Sequence, residues 1–169
     1  MNIIAAITVI LASFAIAVLT IQKENRHCIM LENADALIFS VKNRAMHFSE
    51  PLSDIIRNLS VTDNKKIADF CSVFTSISDL PDKTAPEIWN LSVDMVFGKC
   101  LKPYECDVIK HFSEKICFCN KDDISRIYTQ AHNDLNDFLT TAKEIRNTRT
   151  KSTAAISISS GLMIVLMLI

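Results

Sequence analysis

Apolar residues are distributed along this chain in two ways. From Asn2 to Ile21 and from Thr153 to Ile169 they run nearly unbroken and include no charged side chain. Between those stretches they recur every three or four positions, the period of helices that bury one face. Alternating patterns of the β type are missing. A helix crosses a hydrocarbon core of roughly 30 Å with about twenty apolar residues. The first stretch meets that length, and the second, at about 17, is near the lower limit. The expected organisation is a transmembrane helix over 2–21, a helical domain over 22–152 and a transmembrane helix over 153–169.

Within the polar part the spacing predicts about six helices. The first continues out of the leading apolar stretch to Phe48, with Met30, Ala34, Leu37, Ile38, Val41, Ala45 and Phe48 in one stripe. Glu50-Pro51 interrupts it. Ser49 is placed to cap a short second helix, whose first turn tolerates Pro51 and whose core face is Leu52, Ile55, Ile56 and Leu59. A third helix is expected from Asn64 to Ser78, burying Ile67, Phe70, Cys71, Phe74 and Ile77. Leu80-Pro81-Asp82 reads as a turn. Thr84 and Glu87 have the spacing of a capping box. The fourth helix that they open carries Ile88, Leu91 and Met95 together with Trp89, Val93 and Val96, and Gly98 suits its end. Pro103 opens a fifth, with Val108, Ile109, Phe112, Ile116 and Cys119. The sixth has the longest register, from Ile124 through Ile127, Tyr128, Ala131, Leu135, Phe138, Leu139 and Ala142 to Ile145. Asn120, Asp122 and Asp123 favour its start, and Arg146 and Arg149 favour its end. Nothing between Arg149 and Thr153 breaks it. The first and last helices are long enough to pair as an antiparallel stalk. Ser13-xxx-Ala17 and Ser157-xxx-Gly161 would let their apolar parts approach closely.

Basic residues near membrane ends are retained in the cytoplasm. Lys23 and Arg26 follow the first apolar stretch, and Lys143, Arg146, Arg149 and Lys151 precede the second. The domain is therefore expected on the cytoplasmic side. The competing reading is a cleaved signal peptide, for which Ala15-Ile16-Ala17 offers a small-x-small site. No basic residues precede the apolar run, however, and the run exceeds the usual length of such peptides, so an uncleaved anchor is the preferred reading.

Composition removes several functions. A net charge of −1 does not suit a nucleic-acid partner. With two glycines, Gly98 and Gly161, the chain has no Gly-rich phosphate cradle. The six cysteines, Cys28, Cys71, Cys100, Cys106, Cys117 and Cys119, would remain thiols in a cytoplasmic domain. Cys71 beside Phe70 and Phe74, and Cys119 three after Ile116, read as small core residues. Cys117-x-Cys119 is one residue short of a zinc or thioredoxin-type pair. His27, His47, His111 and His132 share no ligand spacing. Asp122-Asp123 reads as a helix-start pair, Asp134 and Asp137 as a solvated face, Glu87 as a cap and Trp89 as core. No catalytic, cofactor-binding or metal-binding residue is expected, and no small-molecule substrate.

The whole arrangement is similar to the stage III sporulation protein AB family. The segment Gly161-Leu-Met-Ile-Val-Leu-Met-Leu-Ile169 resembles that family's terminal pattern. Pro51-Leu52, followed by Asp54, matches a Pro-Leu-x-Glu-like step, Trp89 falls where a mid-domain Trp is usual, and Asp122 where a Leu-Gly-x-x-Asp turn precedes the last helix. The chain departs from the pattern at Phe118-Cys119, in place of Leu-Gly, at Arg126, in place of Gln, and in a first span that lacks Gly. The resemblance implies an all-α domain similar to the cytoplasmic domains of type II secretion inner-membrane platform proteins. It also implies a structural role in the mother cell membrane, as an adaptor in a secretion-like complex between mother cell and forespore. Implied partners are a cytoplasmic ATPase, other membrane proteins of that complex and the bilayer. The alternative is a two-span receptor with a helical sensor domain. The loops Asp79–Lys83 and Lys99–Tyr104 are candidate recognition surfaces.

Overall fold

The computed structural model describes residues 2–48, 50–60, 63–78 and 83–168; the side chains of 2–14, 16–17, 48, 121, 154, 157–158 and 160–168 lie outside the description. Among the described residues six α-helices follow one another: α1 (Asn2–Phe48), α2 (Leu52–Leu59), α3 (Lys65–Ser78), α4 (Ala85–Val96), α5 (Pro103–Phe118) and α6 (Lys121–Leu168). No strand occurs among the described residues. The expected bundle plus two flanking helices is thus six helices among the described residues, because α1 and α6 each contain one of the apolar stretches. Among the described residues no helix is long and apolar enough to cross a membrane. The spans expected over 2–21 and 153–169 fall largely on side chains outside that set.

The chain divides into two compact units. One comprises Met1–Cys28 and Thr140–Ile169, and the other Ile29–Leu139. In the first unit the two helices run antiparallel. Arg149 Nη1 donates to Glu24 Oε1 at 2.7 Å, and Arg146 Nη1 to Asn25 Oδ1 at 3.3 Å, so advancing along one helix retreats along the other.

In the second unit α3 packs on α2 and on α4, and α4 packs on α5. The part of α1 in this unit buries Met30, Leu31, Ala34, Leu37, Ile38, Val41 and Ala45, and α6 buries Ile124, Ile127, Ala131 and Leu135. The expected stripes on these helices are therefore the core faces, with Phe48 outside the described side chains and Tyr128, Phe138 and Leu139 half-buried. The centre of the small helices is aromatic. Phe70 meets the Trp89 ring edge-on at 4.9 Å between centroids and lies 6.0 Å from Phe97, while Trp89 lies 6.4 Å from Phe112. Edge-to-face pairs of this kind add to the energy of burial.

Helix starts follow the sequence chemistry with one change, at α2. Glu87 accepts the Thr84 N–H at 2.8 Å and the Thr84 hydroxyl at 2.9 Å, as the Thr-x-x-Glu spacing predicts. Asn64 caps α3 from outside the helix by accepting the N–H groups of Lys66 at 3.0 Å and Ile67 at 3.4 Å. At α2 the N-cap is Pro51, and Ser49, expected to cap, lies outside the described residues. At α6 the residue expected to cap, Asn120, accepts the Asp123 N–H through its backbone carbonyl at 3.0 Å.

The largest correction concerns α4. Leu91 and Met95, expected in the core, are 37% and 59% exposed. Positions 88, 89, 92 and 93 are buried instead, so the buried stripe is centred on the side where Ser92 lies. The Ser92 hydroxyl is accommodated by donating to the Ile88 carbonyl at 2.8 Å. A helix of two apolar stripes can press only one of them between α3 and α5. Leu59, Ile77, Val108 and Ile116, also expected as core, are half-buried at helix edges.

Gly98 follows the C-cap Phe97, as expected for a helix end, but not for the usual conformational reason, since its φ lies outside the left-handed region. A Cβ at this position would stand 2.5 Å from the Asp94 carbonyl oxygen, a backbone atom that cannot swing away. Gly98→Ala is expected to destabilise the domain by about 1–3 kcal/mol through this overlap. Thermal melting followed by far-UV circular dichroism checks it, and an unchanged midpoint would contradict it.

Candidate functional site

Four features of the fold bear on chemistry or recognition.

The first joins α1 to α6 within the second unit. His132 Nδ1 lies 2.7 Å from Asp35 Oδ1. The imidazole stacks on Tyr128 at 5.5 Å, Tyr128 meets Phe39 at 5.9 Å, and Lys42 Nζ sits 5.1 Å above the Tyr128 ring. Burial and the nearby Asp35 carboxylate push the Tyr128 hydroxyl above its ordinary range. A carboxylate–imidazole couple can poise a nucleophile, but here one face of the ring is covered by Tyr128, and the groups alongside are an aromatic ring and a lysine. The arrangement fastens two helices that the sequence separates by 97 residues. Sequence reading gave His132 no ligand spacing, left it at a surface or half-buried helix position and missed the cluster, because no spacing rule links positions so far apart. A partly exposed pair of this kind contributes up to about 1 kcal/mol.

The second feature is the thiols. All six cysteines are free; Cys28, Cys71 and Cys106 are buried, Cys100 and Cys117 are exposed and Cys119 is half-buried. Burial pushes the Cys71 and Cys106 thiols up to about 11. Thiolate character, and with it nucleophilicity, is suppressed at those two positions. Among the described residues no three His, Cys, Asp or Glu side chains come together.

The third is the polar side chains in the core. Glu105, 1% exposed, accepts the Lys102 N–H at 2.8 Å and so holds the start of α5. Trp89 Nε1 donates to the Ile109 carbonyl at 2.9 Å, which ties α4 to α5. At the surface of the same pair, Lys110 meets Asp94 at 2.7 Å. Their partners are structural.

The fourth is exposure. Met95 and Leu91 lie open on α4, Phe118 is 87% exposed at the end of α5, and Tyr104 is open at its start, packing edge-on against Phe138 at 5.2 Å. Of the loops expected to carry recognition, Lys99–Tyr104 is exposed apart from Leu101. In the other loop, residues 79–82 lie outside the described set.

These features hold a helical scaffold together and leave several apolar side chains exposed. A family model described as stage III sporulation protein AB matches residues 2–169. The chain belongs to the stage III sporulation protein AB family. A solved structure of stage III sporulation protein AB (SpoIIIAB) is 18% identical, covers 70% of this chain and 94% of its own, and superposes with a TM-score of 0.59, which establishes a shared fold. No curated protein matches the chain.

The family's sequence landmarks acquire physical roles here. Pro51 is the N-cap of α2 and Leu52 is buried behind it. Trp89, expected where the family has a mid-domain tryptophan, is the largest fully buried side chain. Asp122 and Asp123 occupy the first turn of α6, where a carboxylate favours the helix dipole. The departure at Cys119 is explained by its backbone, φ −93° and ψ 160°, an extended conformation open to any residue. Arg126, another departure, pairs with Asp123 at 3.0 Å. The Gly161–Ile169 landmark lies outside the described side chains.

Proposed function

We propose that this member of the sporulation family is a non-enzymatic, membrane-anchored adaptor. It inserts 2–21 and 153–169 as spans in the mother cell membrane and keeps its helical domain on the cytoplasmic side. There it links a cytoplasmic ATPase to the membrane components of a secretion-like complex between mother cell and forespore. Membership of the family supports the sporulation setting, and resemblance supports the partners. The observation that carries the anchoring is the distribution of charge. Lys23 and Arg26 follow one apolar stretch, and Lys143, Arg146, Arg149 and Lys151 precede the other. Antiparallel pairing of α1 and α6 brings these two groups to one level, as the Arg149–Glu24 contact at 2.7 Å records. A cationic band at one level beside two uncharged segments is what retention on the cytoplasmic face requires. The scaffold chemistry of the domain suits a role in which shape and surface, rather than bond-making, are the product.

Thiol labelling tests the topology. Cys106 is a poor reporter, since it is 3% exposed and its thiol is pushed up to about 11. Cys100 is exposed and serves instead. In intact sporulating cells carrying Cys117→Ser and Cys119→Ser, a membrane-impermeant maleimide is expected to leave the chain unmodified and to modify Cys100 once the membrane is permeabilised. Modification of Cys100 in intact cells would overturn the cytoplasmic placement.

A further inference from the structure

Where the polar stretches of α1 and α6 that adjoin the uncharged ones lie side by side in the first unit, they line an open groove of about 450 Å³. From α1 it is lined by Ile21, Gln22 and Asn25, and from α6 mainly by Arg146, Thr150 and Lys151. Its walls carry two cations and several amides and no carboxylate. We propose that this groove binds the phosphate headgroup of an anionic phospholipid, one lipid per chain.

Four observations lead there. The groove begins at Ile21, the last residue of one uncharged stretch, and its other wall reaches Lys151, two residues before the second. If those stretches are spans, a proposition on which this inference rests, the groove lies at headgroup depth. Arg146 is held across it by donating from Nη1 to Asn25 Oδ1 at 3.3 Å, which fixes the guanidinium between the helices and leaves the rest of its fork for an anion. The nearest acid on α1, Glu24, is occupied by Arg149 at 2.7 Å and its side chain is only 16% exposed, so its charge is offset before a phosphate arrives. Thr150 donates its hydroxyl to the Arg146 carbonyl at 2.8 Å, closing a helical polar group that would otherwise compete for a donor. The remaining donors, Gln22, Asn25 and Lys151, are neutral or cationic, the set that a phosphodiester takes and a metal ion does not. Basic clefts between membrane helices on the cytoplasmic side take anionic headgroups for the same reason. The source committed to is the lipid, since the groove opens at the ends of the apolar stretches.

The test uses the full chain in a neutral detergent with short-chain phosphatidylglycerol, short-chain phosphatidylcholine or inorganic phosphate added, and native mass spectrometry to count bound molecules. The expected result is one phosphatidylglycerol held at least tenfold more tightly than phosphatidylcholine. Arg146→Gln with Lys151→Gln should weaken it about thirty-fold, from two cations near a headgroup. Lys65→Gln with Lys99→Gln removes the same charge from exposed positions in the other unit and should leave binding unchanged. Far-UV circular dichroism confirms that both pairs remain folded. Equal binding of the two lipids, or an equal loss in the control pair, would overturn the groove. Saturation by inorganic phosphate as tightly as by the lipid would also overturn it, since the ligand would then be free phosphate. Carbonate extraction of cell membranes separates this from the anchoring itself. A chain retained in membranes without lipid selectivity refutes the groove alone, and a chain washed off while still selecting the anionic lipid refutes the anchoring alone.

Discussion

Trp89→Ala is expected to remove about 4 kcal/mol of stability, a large share of the 5–15 kcal/mol typical of a folded domain. The indole is fully buried and its ring is packed by Phe70 at 4.9 Å and Phe112 at 6.4 Å. Alanine leaves a cavity between α3, α4 and α5 that surrounding rings fill only partly, and it removes the hydrogen bond to the Ile109 carbonyl. The carbonyl itself lies inside α5, where the helix supplies a second donor, so the loss is chiefly of packing. Trp89→Phe keeps most of the volume and should cost about 1–2 kcal/mol. Thermal melting by far-UV circular dichroism reads both, since Trp89 is the single tryptophan and its fluorescence disappears in the variants. A midpoint for Trp89→Ala within a few degrees of the parent, against the roughly 15 °C drop expected, would show that the aromatic cluster is not the centre of the fold.

Cancelling the charge bias should have the second large effect, on orientation rather than on stability. Lys143, Arg146, Arg149 and Lys151 replaced by Gln, combined with Asn2→Lys and Ile3→Lys, turns a bias of six basic residues against none into two against two. Orientation depends on that difference, so about half of the molecules should insert with the domain outside. Cys100 then becomes reactive toward the impermeant maleimide in a matching fraction of chains in intact cells. The Arg149→Gln change also strands Glu24, whose carboxylate is paired at 2.7 Å, and a modest loosening of the paired helices accompanies the loss of bias. Unaltered protection of Cys100 would mean that something other than the basic residues fixes the domain's side.

The two outcomes depend on different kinds of information. Periodic positions such as Met30, Ala34, Leu37, Ile38 and Val41 identify the buried face of α1 directly, because a single long stripe leaves the helix one way to turn inward. The same holds for Ile124, Ile127, Ala131 and Leu135 on α6. Caps are equally legible, since Thr84 and Glu87 interact over one turn and need no other part of the chain. Local rules stop at α4, whose apolar residues outnumber the places available. Only its neighbours α3 and α5 select Ser92 for the inside and Leu91 and Met95 for the outside. The thiols divide in the same way. Cys100 and Cys106 look alike in sequence, and packing alone makes one a surface group and the other a buried one.

By itself, then, the sequence determined the helical class, the order of the elements, the two uncharged stretches and the family pattern, because each depends on residues within a few turns of one another. Tertiary structure decided which side of α4 is buried and which thiols are reachable. It also set His132 on Asp35, Glu105 into the core, and Arg146 and Lys151 across from Gln22 and Asn25. These are meetings between residues far apart in the chain, or choices among competing faces. They are settled by the simultaneous packing of several helices, a condition that no local spacing encodes.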